Sequence, residues 1–93
     1  MSNNLIVLYD LGLVGQNYSA VIYAIKLSGS WTKIQQSVWY VDSPLNAELA
    51  AKKVNTYMDR NDSLIVLDAT NNDAFWYNLS DVASKQIQGH WGR

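Results

Sequence analysis

Ninety-three residues, 48% of them hydrophobic, fit one compact domain, and a chain of this size hides only about two-thirds of its unfolded surface, so burial against a second subunit would help it. The absence of cysteine excludes disulfide frameworks, thiolate metal sites and a cysteine nucleophile, and a single histidine, His90, excludes multi-histidine metal motifs. Seven basic against eight acidic residues leave a net charge of −1, whereas a nucleic-acid binder is usually distinctly basic, although a local basic patch remains compatible with this balance. Four tryptophans and six tyrosines supply large packing area with polar handles, which suits interfaces as well as cores. No stretch approaches transmembrane length. The apolar run at Leu5 to Leu8 is too short for a signal peptide and no basic region precedes it, so a soluble cytoplasmic protein with no membrane partner is expected.

Leu5-Ile6-Val7-Leu8-Tyr9-Asp10 is a short, continuous, mostly apolar run that stops at a carboxylate. Such a run reads as a strand covered on both faces, with Asp10 where the strand emerges, a position that commonly carries function. Gly12 and Gly15 follow; they permit positive φ and close backbone approach. Their spacing matches neither the Rossmann nor the Walker pattern, and a plain connecting loop is the preferred reading. Asn17 is a fitting N-cap. Tyr18, Val21, Ile22 and Ile25 fall at helical spacing, and Gly29 is the expected left-handed cap that ends a helix running from about Tyr18 to Leu27.

Trp31 to Val41 carries strong β preference, with polar Gln35-Gln36-Ser37 in its middle. Two strands are expected, roughly Thr32–Gln35 and Ser37–Asp42, with a tight turn or bulge between them. Pro44 ends the second. Asn46 caps the next helix, with Glu48 in its first turn, and Ala47, Ala50, Ala51, Val54, Tyr57 and Met58 form one stripe. Leu64-Ile65-Val66-Leu67-Asp68 repeats the opening pattern of apolar residues and then a carboxylate. Ala74 to Leu79 fits a strand or a helix. Ser80 caps a short last helix, Asp81 to Gln88, and Gly89 to Arg93 reads as a frayed tail in which Trp91 docks on a surface.

The order is β-α-β-β-α-β plus an extension. It predicts an α+β, ferredoxin-like fold, with a four-stranded antiparallel sheet and two helices on one face. The core is expected over about 5–70 and the C-terminal extension over about 71–93, in a single domain spanning 1–93. One sheet face stays uncovered unless the extension or another subunit packs on it, and Trp39, Tyr40, Phe75, Trp76 and Tyr77 are candidates for that contact.

Three stretches together resemble the small CRISPR-associated adaptation proteins and their VapD-like relatives: Leu5 to Asp10, Lys33-Ile-Gln-Gln-Ser-Val-Trp-Tyr-Val41, and Leu64 to Leu67. The length and the Gly-Ser-Trp before the hairpin look closer still to the SinR-like members. The resemblance covers roughly Leu5 to Ala69. It implies a ferredoxin-like homodimer with Asp10 near the dimer axis, opposite its mate. Some such proteins are metal-dependent ribonucleases or deoxyribonucleases and others are DNA-binding scaffolds. The matching positions are Tyr9, Asp10 and Ser37. The sequence departs from the pattern after Asp10: Leu11 to Ile25 holds no arginine or lysine, where these families usually bring some.

On this reading Asp10 is the metal ligand. Paired with Asp10 of a second chain it would hold Mg²⁺, which prefers carboxylate oxygens and keeps several waters, and the ion would polarise a phosphate and activate a water. Tyr9 and Ser37 would orient a phosphate or water by hydroxyl donation, against the plainer alternatives of packing and ladder pairing. Asp68 is better read as a turn former than as part of an acidic site. Lys33 is the preferred nucleic-acid contact, ahead of Lys52, Lys53 and Arg60, although one lysine per subunit is a small electrostatic footprint. Trp31, Trp39 and Tyr40 would offer stacking platforms, with core or dimer packing as the plainer alternative. His90 in the tail is read as incidental. The leading expectation is a homodimeric nucleic-acid-associated protein with Mg²⁺-dependent endonuclease chemistry at paired Asp10. Its rival is a non-catalytic protein-interaction or regulatory module, which the missing loop cations favour.

Overall fold

The computed structural model describes residues 2–12 and 18–91. Its elements are β1 (Asn3–Asp10), α1 (Tyr18–Leu27), β2 (Ser30–Gln35), β3 (Val38–Ser43), α2 (Ala47–Asn55), β4 (Ser63–Asp68), β5 (Asp73–Tyr77) and α3 (Asp81–Trp91). All five strands join one antiparallel sheet in the order β2-β3-β1-β4-β5. The predicted Asn17 cap, Gly15 and the chain end at 92–93 lie outside the described residues, as do the Tyr18 and Trp91 side chains.

The expected four-stranded ferredoxin-like sheet with two helices is overturned by a fifth strand and a third helix. The ambiguous aromatic segment decides this. Phe75 and Tyr77 pair with Val66 and Leu64, and Trp76 pairs with Ile65. Alternation therefore sends Phe75 and Tyr77 to the core side, where they pack against it. Asn72 adopts positive φ (53°) in the connecting turn, which asparagine tolerates. The terminal segment is helical through Trp91 rather than frayed from Gly89. Gly89 costs this helix only about 1 kcal/mol relative to alanine, too little to break it.

Strand β1 holds the centre. Leu5, Val7 and Tyr9 are buried with Trp39, Val41, Leu64 and Val66 beneath Val21, Ala24 and Ile25 of α1 and Ala47, Ala50, Ala51 and Val54 of α2. Each large aliphatic side chain so buried contributes about 1.5–3 kcal/mol. The alanines carry no bulk beyond Cβ, so α2 lies close over β4 and β5. Its N-terminus is capped as the sequence predicts, with Asn46 Oδ1 accepting from the Leu49 N–H at 2.8 Å. The other sheet face lacks α1 and α2, in line with the expected uncovered face but against the reading of β1 as covered on both faces. Ile6, Leu8, Val38, Tyr40, Ile65 and Leu67 alternate onto it and are only half-buried, so β1 is covered by helices on one side alone. Helix α3 reaches this face at β5, where Trp76 Nε1 donates to Ser84 Oγ at 3.1 Å.

Gly29 is needed for a reason the sequence reading did not anticipate. It does not take the left-handed conformation; instead a Cβ there would overlap the Asp42 carbonyl, because the α1–β2 turn passes directly against β3. The helix end is satisfied by Ser28, whose Oγ donates to the Ala24 carbonyl at 3.0 Å. Asp68, 1% exposed, is a turn former: its carboxylate accepts from the Thr70 and Asn71 N–H groups, both at 3.0 Å, and from Asn71 Nδ2 at 2.7 Å.

Two stability outcomes follow from these contacts. Gly29→Ala is expected to destabilise the chain by about 1–3 kcal/mol, the usual cost of forced overpacking, read as a lower urea midpoint at unchanged slope. Asp68→Ala removes the three hydrogen bonds that hold the Thr70–Asn71 turn and is expected to lose about 1–3 kcal/mol in the same measurement.

Candidate functional site

Tyr9 closes the buried face of β1. Its hydroxyl accepts from Trp39 Nε1 at 3.4 Å, and its backbone N–H donates to the Ser37 carbonyl at 3.2 Å. With Ile22, Lys33, Gln36 and Ser37 it lines a cleft of about 310 Å³. Three predicted site residues, Tyr9, Lys33 and Ser37, thus share one cavity, brought together because the β2–β3 turn folds back beside the end of β1.

Asp10 does not join them. Neighbouring side chains on a strand point to opposite faces, and Asp10, exposed and in register with Ser63, stands on the open face. There it borders a hollow of about 170 Å³ with Leu8, Ser63, Leu64, Ile65, Leu79 and Tyr9, the one residue that lines this hollow as well as the cleft. Among the described residues no three carboxylate or histidine side chains group to hold a metal ion. A single Asp10 is therefore a poor fit to Mg²⁺ unless a second carboxylate is supplied from outside the chain.

The other carboxylate of interest is structural. Asp62, 2% exposed, accepts from the Gly12 N–H through Oδ1 and from the Asp59 N–H through Oδ2, both at 2.8 Å. It ties the exit of β1 to the entry of β4. A Cβ at Gly12 would overlap the Asn61 carbonyl, so this glycine serves close approach rather than phosphate binding. The sequence signal was present in Gly12 and in Asn61-Asp62, but nothing in it joined the two.

A second grouping was missed because Lys26 drew no attention. Its Nζ lies 4.3 Å from the centre of the Trp31 ring and 6.0 Å from that of Trp39, while Lys33 Nζ lies 5.9 Å from the Trp39 ring. The two indoles meet edge to face at 5.4 Å, an arrangement their quadrupoles favour. The available hint was a lysine in the last helical turn, where the helix dipole favours it, just before a turn that folds Trp31 back beside it.

Of the proposed stacking residues, Trp39 is buried at 3% exposure and Trp31 stands 45% exposed. Tyr40 is half-buried on the open face, donating from its hydroxyl to Asn4 Oδ1 at 2.8 Å. Lys52 and Lys53 have partners within the chain. Lys52 bonds Glu48 at 2.7 Å; that hydrogen bond, and then the carboxylate's charge, hold its ammonium above the ordinary lysine pKa. Lys53 Nζ donates to the Leu27 carbonyl at 3.2 Å. His90 is exposed on α3 rather than in a tail. No described helix is long and apolar enough to cross a membrane.

The chain matches no protein-family model, no curated protein and no solved structure.

Because Asp10 is exposed at a strand end, Asp10→Asn is expected to keep the unfolding free energy from urea titration within about 0.5 kcal/mol of the parent. A larger loss would show that Asp10 holds the fold together rather than standing ready for another purpose.

Proposed function

We propose that this chain is a non-catalytic interaction module that works as a homodimer, joined through the open face of its sheet. The observation that carries this reading is the character of that face. Ile6, Leu8, Val38, Tyr40, Ile65 and Leu67 form a contiguous apolar centre, and α1 and α2 both lie on the other side. A contiguous apolar patch on a small domain marks an interaction site. A two-fold contact uses the same patch on both subunits, and a short chain with a modest core gains burial from it.

The small extent of the basic, aromatic surface at Trp31, Lys26 and Lys33 favours protein over nucleic acid as the partner. One face of Trp31 is taken by Lys26, and two lysines with a −1 net charge would release few counterions. A second reading keeps the nuclease expected from the CRISPR-associated and VapD-like resemblance, with phosphodiester hydrolysis at paired Asp10. It is favoured by the exposure of Asp10 on the same open face, where a face-to-face dimer whose two-fold axis runs along β1 would bring the two carboxylates to one end.

Sedimentation equilibrium is expected to give twice the chain mass for the parent, and a folded monomer for Leu8→Glu or Ile65→Glu. A monomeric parent at about 100 μM, a concentration well above the Kd of most stable dimers, removes the proposed assembly. A nuclease assay with added Mg²⁺ separates the two readings. No cleavage above buffer supports the binding module, whereas cleavage by the parent that Asp10→Asn abolishes supports the second.

A further inference from the structure

We infer that the outer edge of β2 is a docking strand for a short, extended, acidic segment of another protein. This rests on the reading of the chain as an interaction module, but it uses a different surface from the proposed dimer. Among the described residues no strand lies beyond β2 in the sheet order, and all six of its residues are exposed. Such an edge presents unpaired N–H and C=O groups that an extended peptide can pair with, while alternate side chains set the specificity.

The side chains around this edge define what it accepts. Pairing with Val41 and Trp39 puts Trp31 and Lys33 on the helix side of the sheet, and pairing with Asp42 and Tyr40 puts Ser30 and Thr32 on the open side. Lys26 adds its ammonium beside Trp31 on the helix side. No acidic residue occurs in β2. The carboxylate nearest in register, Asp42, lies opposite Ser30 on the other face. An added strand therefore meets two cations and an exposed indole along one face, and two hydroxyls along the other. Carboxylates at alternate positions complement the first face.

The register also sets the length. Pairing between β2 and β3 shifts between Lys33 and Gln35, and such an irregularity ends a regular edge. The usable stretch is Ser30–Lys33, so a segment of about four residues pairs there.

Two other occupants fit less well. A second copy joined edge to edge about a two-fold axis would gather the lysines of both chains, and like charges facing each other across strands are destabilising. An edge lysine is a common device against that contact. A single-stranded nucleic acid would have to displace Lys26 to stack on the covered face of Trp31, and would leave the backbone edge unused.

Fluorescence anisotropy with a labelled hexapeptide of alternating glutamate and valine tests the inference. Binding is expected, weakening at least about fivefold between about 50 and 300 mM salt as the lysines are screened. Lys33→Glu and Lys26→Glu, both at exposed positions, are each expected to weaken it at least about tenfold. The same peptide with every backbone amide methylated is expected to lose at least about tenfold, because main-chain pairing supplies much of the affinity. In the complex, amide exchange should slow within Ser30–Lys33. The inference is overturned by no binding at the lower salt, by equal binding of a peptide with lysine in place of glutamate, by indifference to methylation, or by displacement with a 20-mer oligothymidylate. Sedimentation of the same samples keeps the two ideas apart. A monomer that binds the peptide removes the dimer and supports the docking strand; a dimer that ignores the peptide does the reverse.

Discussion

Strand β1 pairs along its length with β3 on one side and with β4 on the other, and the sidedness of the molecule follows from that register. Leu5, Val7 and Tyr9 go to the helices; Ile6, Leu8 and Asp10 go to the opposite face. A slip of one residue would exchange these sets. Burial of the first set beneath Val21, Ala24 and Ile25 and beneath the alanines of α2 is what prevents the slip. The separation of Asp10 from Tyr9, Lys33 and Ser37 is thus a consequence of the core, not an accident of the loop that follows.

The same constraint distributes the polar groups. Asp62 and Asp68 mark the two ends of β4; Asp62 spends both carboxylate oxygens on backbone N–H groups, and Asp68 spends one on backbone N–H groups and the other on the Asn71 side chain. A buried carboxylate with such donors is stabilising where an unpaired one would be costly. The acidic residues at the ends of β4 therefore shape turns. Asp10, by contrast, is exposed at its strand end. On the opposite side, Trp31, Trp39, Lys26 and Lys33 make an aromatic and cationic rim around the β2 edge. An apolar open face and a cationic free edge are two surfaces with different chemistry, suited to different partners.

Much of the local structure was legible in the sequence. The helical spacing at Val21, Ile22 and Ile25 marks α1, the Asn46 cap marks the start of α2, and the apolar runs mark β1 and β4, because each signal depends only on neighbours a few residues away. Element count was harder. Ala74 to Leu79 is too short and too uniformly apolar for periodicity to separate strand from helix, and pairing with β4 decided it. The sequence offers close backbone approach at Gly12 but a left-handed cap at Gly29, and in neither case names the distant backbone that requires the glycine, Asn61 for Gly12 and Asp42 for Gly29.

The sequence by itself determined where β1, β4, α1 and α2 lie, that Asn46 caps α2, and that carboxylates end β1 and β4. These are matters of short-range sterics and hydrogen bonding. Only the tertiary structure decided that β5 completes the sheet and that one face of β1 stays half open. It also decided that Tyr9, Lys33 and Ser37 share a cleft from which Asp10 is turned away, and that Lys26 covers Trp31. Those outcomes depend on contacts between distant segments, whose partners are chosen by the packing of the whole core rather than by any local pattern.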